Sequence, residues 1–536
     1  MSLILALLLL IPHFLPAQIN DTAFLNFRRE QRRMNVRHVK SEVALFDQGK
    51  SVPRISGNGD DQLYSDKRGS YGKALLHETS GFINPLAFTS LMKPLQTENS
   101  NEFDQIVLGE GRKLVNPQAS LAYSLSGNDA WINAIATDPT FAGTETAGEM
   151  VELYWTAMLR DVPFNNFTAL TVGAAVDDLN NLSNFKGPKI GGVVTPGTFL
   201  RGNAPGELEG PYISQFLFKQ IPFGSGVINQ EYTVPEPASI SPGNDFITTF
   251  ADWFTVINGG STGQTIQFDA DQHFIRTPRD LGEYAHIDVP GQSGYCAALL
   301  LLSFGPDALD PNTPYLNNPT QVGFVTFGMA DVLALVQEAA EEALKAAWFY
   351  KWQVSLRLRP EEYGFYLQRQ LVEMQNLGIN PELLNSQAVI EIFNAFGSYF
   401  LPQSYPEGSP THPAYPSGHA AFSGAAITVL KAIFNEDFVI PDPLQPNVDN
   451  TALEPYPGIL TVGGELNKLA SNISLGRDHA GVHYRSDAWQ GMLLGEKVAI
   501  DILNNRSFLF NENFRGYTLT KFDGTKITVG AKNGAS

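Results

Sequence analysis

The last third of the chain concentrates residue types that bind anions and move protons. Four of the nine histidines fall between residues 412 and 483, and three of them are His412, His419 and His483. Three cationic residues accompany them in the sequence: Lys351, Arg359 and Arg477. Lys and Arg hold oxyanions through charge-assisted hydrogen bonds, and histidine serves as a metal ligand or as an acid and base. A lone Lys, Arg or His usually has a structural or surface role, so the joint occurrence carries the prediction.

The segment at residues 411–419 (THPAYPSGH) predicts the start of a helix at Ser417, because apolar residues then recur at helical spacing as far as Phe434. The first turn of a helix has free backbone N–H groups and a positive dipole end, and Gly418 lets an oxyanion approach the backbone. The segment therefore predicts an anion site. From this segment alone, a second interpretation stays open, in which Ser417 only caps the helix and His419 is a surface residue.

Composition excludes several classes of partner. The 536 residues carry 36 Lys and Arg against 55 Asp and Glu, a net charge of −19, which argues against a general nucleic-acid binder or a binder of anionic membranes. An anion site must therefore be a local cluster of cations. The single cysteine, Cys296, excludes an internal disulfide and a thiolate metal site.

The N-terminal residues resemble a targeting signal. Residues 3–11 form an apolar run too short to span a bilayer, followed by prolines and a candidate cleavage site after Ala17. We expect residues 1–17 to be a signal peptide, the mature chain to begin near Gln18, and the protein to be secreted or periplasmic. No later apolar run is long enough to span a membrane, so we expect a soluble mature protein.

The rest of the chain is predicted to be mainly α-helical. We expect a polar N-terminal arm over residues 18–75 and one large helical domain over residues 76–536, whose active-site half covers about 330–510. Helices are predicted over residues 149–159, from residue 330 to near 359, from residue 417, and over residues 465–475 and 486–504, with a loop at 476–483. Residues 517–529 predict a β-hairpin around Asp523-Gly524.

Three patterns in this order resemble a known family. They are Lys351 followed by Arg359-Pro360, then Pro416-Ser417-Gly418-His419, then Gly476-Arg477 with Gly481, His483 and Asp487. Together they resemble the vanadium-dependent haloperoxidases, which share a core with type 2 phosphatidic acid phosphatases and bacterial acid phosphatases. Residues 114–117, 160–164, 210–215 and 348–353 look like the brown-algal bromoperoxidase branch. The resemblance covers roughly residues 110–530. It implies two four-helix bundles in one large helical domain, and a homodimer, here without an intersubunit disulfide.

The resemblance also implies the roles of the site residues. Vanadate, as vanadium(V), is held by Lys351, Arg359, Arg477, the hydroxyl of Ser417 and the amide of Gly418. His483 is the ligand bonded to vanadium, and His419 acts as acid and base. His412 and Trp348 lie beside the pocket, and Asp280 pairs with Arg477. Lys351 also polarises the bound oxidant.

The implied activity is the oxidation of bromide or iodide by hydrogen peroxide to hypohalous acid, which halogenates small organic acceptors. Because the metal acts as a Lewis acid, haem, flavin and NAD are unnecessary. His412 stands where the chloride-oxidising fungal branch carries Phe, so we expect little chloride oxidation.

Two features depart from the relatives. The segment Ser355-Leu356-Arg357-Leu358 stands where the branch usually has a His-Arg pair, and seven residues separate Lys351 from Arg359 where the phosphatases have six. On a helix, one extra residue rotates a side chain by about 100°, so Arg359 must enter from another angle or the helix must end early. Two alternatives remain: an acid phosphatase that uses a phosphohistidine at His483, and an oxyanion-binding protein without turnover.

Overall fold

Helices dominate the structure, a computed structural model that describes residues 22–530. Within that range it divides into two units, at residues 51 and 52. The first unit contains one helix, α1 (Thr22–Gln48). The predicted signal peptide, residues 1–17, lies outside the described residues.

The second unit holds all later elements. Its helices are α2 (Asp60–Leu63), α3 (Pro85–Thr97), α4 (Ser100–Phe103), α5 (Thr144–Leu159), α6 (Ala169–Asn180), α7 (Phe250–Ile257), α8 (Pro278–Ile287), α9 (Gln292–Ser303), α10 (Met329–Phe349), α11 (Pro360–Val372), α12 (Pro381–Leu384), α13 (Gln387–Phe396), α14 (Gly418–Ile433), α15 (Val462–His479) and α16 (Arg485–Ser507). A π-helical turn, Tyr350–Ser355, directly follows α10. Short 3₁₀ turns punctuate the loops: Pro117–Leu121, Ala130–Ile132, Phe164–Asn166, Gln215–Leu217, Pro242–Asn244 and Pro306–Ala308.

Strands occur only as small antiparallel pairs in the described part of the chain. They are β1 (Ile221–Phe223) with β2 (Gly226–Ile228), β3 (Tyr232–Pro235) with β4 (Phe268–His273), β5 (Leu444–Pro446) with β6 (Leu453–Pro455), and β7 (Tyr517–Thr520) with β8 (Lys526–Val529). In the last pair Tyr517 faces Val529 and Thr520 faces Lys526. The predicted class, mainly helical with a C-terminal hairpin, is confirmed. No helix among residues 22–530 is long and apolar enough to cross a membrane.

The segment predicted as a polar arm contains buried side chains near its end. Tyr71, Lys73 and Leu75 are fully buried, and Lys73 Nζ donates to Glu361 Oε1 at 2.5 Å. A few buried side chains thus fix a segment whose average composition is polar. These residues belong to the second unit, which begins at Val52, and the boundary of the arm at residue 75 stays a prediction.

Helix α14 is the buried centre of the active-site half, where it packs against α10, α15 and α16. Residues 420–432 are all buried. Glycines let α16 come close: a Cβ at Gly495 would lie 2.1 Å from Ala421 O, and one at Gly491 would lie 2.6 Å from Ala420 Cβ. The two helices therefore begin side by side.

Helix α15 is longer than the sequence predicted. The expected helix covered residues 465–475, whereas the observed helix continues to His479. Gly481 follows with a φ of 83°, and its amide donates to Asp478 O at 2.8 Å. The loop predicted over residues 476–483 is therefore confined to its second half, and Arg477 lies in the last helical turn.

Candidate active site

Three buried cations meet beside His483. Lys351, Arg359 and Arg477 are 0%, 0% and 4% exposed. Lys351 lies in the π-helical turn, Arg359 is the N-cap of α11, and Arg477 belongs to the last turn of α15. Three separate elements thus bring together the cations that the sequence singled out. We call these three side chains the cation cluster.

Backbone carbonyls hold Lys351 and Arg359. Lys351 Nζ donates to Pro413 O at 2.7 Å and to Ala414 O at 2.8 Å. Arg359 Nε donates to His412 O at 2.8 Å. All three acceptors belong to the segment just before α14, so this segment and the two cations fix each other's positions.

Arg477 has a hydrogen-bond donor that no described residue accepts from. Its Nη1 donates to Ala285 O at 2.8 Å and to the hydroxyl of Tyr405 at 3.3 Å. Its Nε is buried and has no hydrogen-bond partner among the described residues. A buried donor without a partner is costly, so this atom indicates a missing acceptor.

The cation cluster has no carboxylate of its own. Among residues 22–530, no Asp or Glu forms an ion pair with any of its members. Burial lowers the pKa of Lys351 well below its ordinary value, and the charge of Arg359 lowers it further. Burial also lowers the pKa of Arg359 to about 10. An anion bound among them would offset both effects.

His483 presents a neutral imidazole to this cluster. Its Nδ1 lies 2.8 Å from Asp487 Oδ2, and its Nε2 lies 3.0 Å from Arg359 Nη1. Burial lowers the pKa of His483 well below its ordinary value, and the charges of Arg359 and Lys351 lower it further. These partners place the proton on Nδ1, which donates to Asp487, and leave the Nε2 lone pair facing the cations. That arrangement is typical of a metal-ligating histidine.

Ser417 and Gly418 supply the start of a helix. Ser417 Oγ accepts from Ala420 N at 3.4 Å, so Ser417 caps this helix. The hydroxyl hydrogen remains available as a donor to an anion. A Cβ at Gly418 would lie 3.2 Å from Cζ3 of Trp348, so the indole packs tightly over this first turn.

His419 pairs with a carboxylate that the sequence did not point to. Its Nε2 lies 2.9 Å from Asp288 Oδ1. The His419 side chain is 25% exposed, whereas that of Asp288 is fully buried. Burial lowers the pKa of His419, and the charge of Asp288 opposes that effect. The interpretation of His419 as an isolated surface residue is therefore excluded, and the pair can hold and release a proton.

His412 and Trp348 lie against the cation cluster. His412 Nδ1 is 2.9 Å from Arg359 Nη2, and the two rings, imidazole and indole, have centroids 4.9 Å apart. Burial lowers the pKa of His412 well below its ordinary value, as does the charge of Lys351. Neutral His412 therefore accepts a hydrogen bond from Arg359. Lys351 Nζ lies 6.0 Å from the Trp348 ring.

The pairing predicted between Asp280 and Arg477 is wrong. Asp280 Oδ2 accepts from Arg276 N at 2.9 Å and from Thr277 N at 3.2 Å. It occupies the third position of α8, where it completes a capping box with Thr277. Thr277 and Asp280 cap the start of α8, whereas Arg477 donates to Ala285 O near the end of the same helix. The acidic residue that reaches the site, Asp288, directly follows α8.

A widened turn absorbs the extra residue between Lys351 and Arg359. The α-helical pattern ends at Phe349, and Leu356 N donates to Lys351 O at 3.1 Å, five residues back. Leu356 then has a φ of 50°, which reverses the chain before Arg359. A π-helical turn holds about one residue more than an α-helical turn. Of the two outcomes expected from the spacing, the early helix end is the observed one.

These groups fit a compact oxyanion. The cluster supplies charged donors, Ser417 and the start of α14 supply neutral ones, and the buried Nε of Arg477 lacks an acceptor. Phosphate and vanadate can both accept these hydrogen bonds. His483 adds a lone pair, which only an anion with a metal centre can use as a ligand.

Comparison with known families matches the part of the chain that contains this site. The family model described as the VCPO second helical-bundle domain matches residues 331–512. That range includes the cation cluster, His483 and the first turn of α14.

Relatives of known function match nearly the whole chain. A vanadium-dependent bromoperoxidase of Corallina pilulifera is 32% identical, over 94% of this chain and 98% of the relative. One of Ascophyllum nodosum is also 32% identical, over 87% of this chain and 89% of the relative. The homohexameric structure of the second vanadate-dependent bromoperoxidase of Ascophyllum nodosum superposes with a TM-score of 0.88 at 27% identity, covering 98% of this chain and 94% of that one.

Proposed function

This chain belongs to the vanadium-dependent bromoperoxidase family, and from that premise we propose that the cation cluster is its vanadate site. The protein is a haloperoxidase, an enzyme that oxidises halide with hydrogen peroxide. One observation carries the assignment of the site: Arg359 contacts His483 Nε2, the charges of Lys351 and Arg477 also act on this imidazole, and no described carboxylate forms an ion pair with any of the three cations.

Each donor has a role in holding the cofactor. Lys351, Arg359 and Arg477 donate to the oxygens of vanadate, and the hydroxyl of Ser417 and the amide of Gly418 add two neutral donors. His483 binds vanadium through Nε2, because Asp487 occupies its Nδ1. When bound, vanadate supplies a Lewis-acid centre that activates hydrogen peroxide without a change of oxidation state, so the reaction needs no haem, flavin or NAD.

His419 moves protons during the reaction. Activation of hydrogen peroxide and release of water require proton transfer, which His419 would provide as acid and base. Asp288 engages Nε2 of His419, so Nδ1 is the atom that accepts and returns the proton. Lys351 places a positive charge beside the oxygen atoms that react, which favours electron flow from the halide toward them.

Bromide and iodide are the proposed halides. The relatives are named bromoperoxidases, and neutral His412 beside Trp348 resembles the bromide-oxidising branch. The hypohalous acid then halogenates small organic acceptors. Chloride oxidation is expected to be weak.

The chain also forms a homo-oligomer in this proposal. The structural relative is homohexameric, which supports a symmetric assembly of identical subunits. The dimer expected from the sequence, without an intersubunit disulfide, stays a prediction. Secretion or periplasmic export likewise rests on residues 1–17 alone.

The test uses metal-free protein. We expect one vanadium per chain after incubation with orthovanadate, followed by peroxide-dependent bromination, with phosphate competing during loading. Phosphate release without peroxide, together with no bromination after loading, would support the acid phosphatase instead. Tight oxyanion binding with neither activity would support a binding protein.

A further inference from the structure

Arg357 lies between Lys351 and Arg359 in the sequence, but its contacts differ from theirs. It is 1% exposed. Its Nη1 donates to Asp487 Oδ1 at 2.8 Å, and its Nη2 donates to Glu149 Oε2 at 2.7 Å. Burial opposes its charge, but these two carboxylates raise the pKa of Arg357 above its ordinary value. It is therefore a fully neutralised cation just outside the cation cluster.

Arg357 restricts the carboxylate of Asp487 to a single orientation. While Arg357 occupies Oδ1, the other oxygen accepts from Tyr484 N at 3.1 Å and from His483 Nδ1 at 2.8 Å. The guanidinium lies 3.8 Å from the ring centre of Tyr484, which blocks it from moving aside. A chain of buried contacts thus runs from Arg357 through Asp487 to the imidazole.

Glu149 fixes the other end of this chain. It lies on α5, and its second oxygen, Oε1, accepts from Ser486 N at 2.6 Å. Ser486 Oγ in turn accepts from Arg357 Nη1 at 2.8 Å. The start of α16 is therefore tied to α5 through Arg357, so its guanidinium is held rigidly where it meets Asp487.

The orientation of the His483 imidazole should affect the binding of vanadate more than the binding of phosphate. Most donors proposed to hold phosphate or vanadate oxygens, namely Lys351, Arg477 and the start of α14, do not depend on the direction of the His483 lone pair; Arg359 is the donor that contacts this imidazole, at 3.0 Å. A bond from Nε2 to a metal does depend on that direction, since it requires both the Nδ1–H tautomer and the correct ring rotation. We propose that Arg357 is a positioning residue that makes the site prefer vanadate to phosphate, by fixing Asp487 and thereby His483. This inference rests on the proposed role of His483 as the vanadium ligand.

Arg485 offers a matched control on the same stretch of chain. It is 5% exposed, and its Nε and Nη2 donate to Glu152 at 2.8 and 2.5 Å. Its described hydrogen bonds do not include Asp487 or His483. Removing Arg485 leaves Glu152 without its cation. Removing Arg357 does the same to Glu149 and also to Asp487, so both variants lose a buried ion pair but only the Arg357 variant frees the partner of His483.

The experiment measures the affinities of metal-free, full-length protein for orthovanadate and for inorganic phosphate by calorimetry. For Arg357→Met we expect vanadate affinity to fall about tenfold or more, with phosphate affinity within about threefold. Arg357→Lys should recover part of the vanadate preference, because it restores the charge but not the fork. Arg485→Met should leave the ratio of the two affinities unchanged. If Arg357→Met does not fold, Arg357→Met/Glu149→Gln removes the stranded carboxylate and should give the same ratio.

Two results would overturn the inference. One is a parallel loss of both anions in the Arg357 variants, which is the signature of a purely structural ion pair. The other is an unchanged preference for vanadate. His483→Ala separates this failure from that of the proposed function: if it abolishes the preference while Arg357→Met retains it, only the inference fails. If His483→Ala also retains the preference for vanadate, His483 is not the vanadium ligand. The inference about Arg357 is then wrong as well, because it rests on that assignment.

Discussion

His419 Nε2 and Asp288 Oδ1 lie 2.9 Å apart, and they join two positions 131 residues apart in the sequence. Asp288 directly follows α8, and His419 lies in the first turn of α14. The buried carboxylate fixes the ring and counteracts the effect of burial on the pKa of His419. The histidine is therefore held in place yet still able to take up a proton.

Asp288→Asn should lower kcat for bromide oxidation by about tenfold or more, because general acid–base catalysis typically contributes 10²–10⁴-fold. Loss of the negative charge also lowers the pKa of His419, so the inflection of the pH–rate profile due to this group should move to lower pH. Affinity for vanadate should stay within about threefold of the wild type. An inflection at the wild-type pH would show that Asp288 does not tune His419.

Orthovanadate should stabilise the wild-type protein, and Lys351→Met should reduce that stabilisation. A ligand at about 100 times its Kd contributes about 2.7 kcal/mol to the free energy of unfolding. At the same concentration Lys351→Met should show a smaller increase in Tm, because one charged donor is gone. Thermal unfolding with and without orthovanadate measures both.

Lys431→Met is the matched control for that comparison. Lys431 is also fully buried, at the other end of α14, where its Nζ donates to Asn467 Oδ1 at 3.0 Å. The control should change the Tm of the metal-free protein but leave the orthovanadate increment intact. Equal increments in all three proteins would place the oxyanion elsewhere.

His286→Gln should destabilise the protein more at pH 6 than at pH 10. His286 lies 3.2 Å from Glu283 Oε2 and 2.9 Å from Glu407 Oε1. Burial opposes its charge, but the two carboxylates raise the pKa of His286 to about 9. A group whose pKa is raised in the folded state contributes its full stability below about pH 6.5, and this is lost as the pH rises through about 9.

The expected loss for His286→Gln at pH 6 is about 1–2 kcal/mol, since partial exposure weakens the ion pairs. Stacking of the imidazole on Tyr405, with centroids 3.8 Å apart, adds a loss that does not depend on pH. Urea unfolding at the two pH values measures both contributions. An equal loss at pH 6 and pH 10 would mean that stacking alone matters.

Halide selectivity tests the surroundings of His412. With its Nδ1 accepting from Arg359 and its ring beside Trp348, we expect bromide and iodide to be oxidised and chloride to be oxidised little. Steady-state rates with each halide at mildly acidic pH measure this. Chloride turnover similar to bromide turnover would contradict the expectation.

The sequence predicts those site residues that lie in short local motifs. Lys351, Arg359, Ser417 and His483 stand in short patterns at helix ends, so their types and spacing predict an oxyanion site. The mainly helical class and the C-terminal hairpin were also predictable, since helical spacing and the Asp-Gly turn are local signals.

Contacts between residues that are far apart in the sequence could not be predicted from the sequence alone. The resemblance to the family points to Asp280 as the partner of Arg477, yet Asp280 caps α8. Asp288 precedes Val289 and Pro290, and no local pattern links it to His419. The burial of Tyr71 within a polar segment likewise depends on long-range packing.

The most direct test of the central claim compares the wild type with His483→Ala during titration of metal-free protein with orthovanadate. Bound vanadium and peroxide-dependent bromination are measured on the same samples. The wild type should bind one vanadium per chain and brominate, whereas the variant should bind vanadate weakly and fail to brominate, with phosphate affinity close to that of the wild type. Near-normal vanadium binding and bromination by His483→Ala would contradict the assignment of the active site.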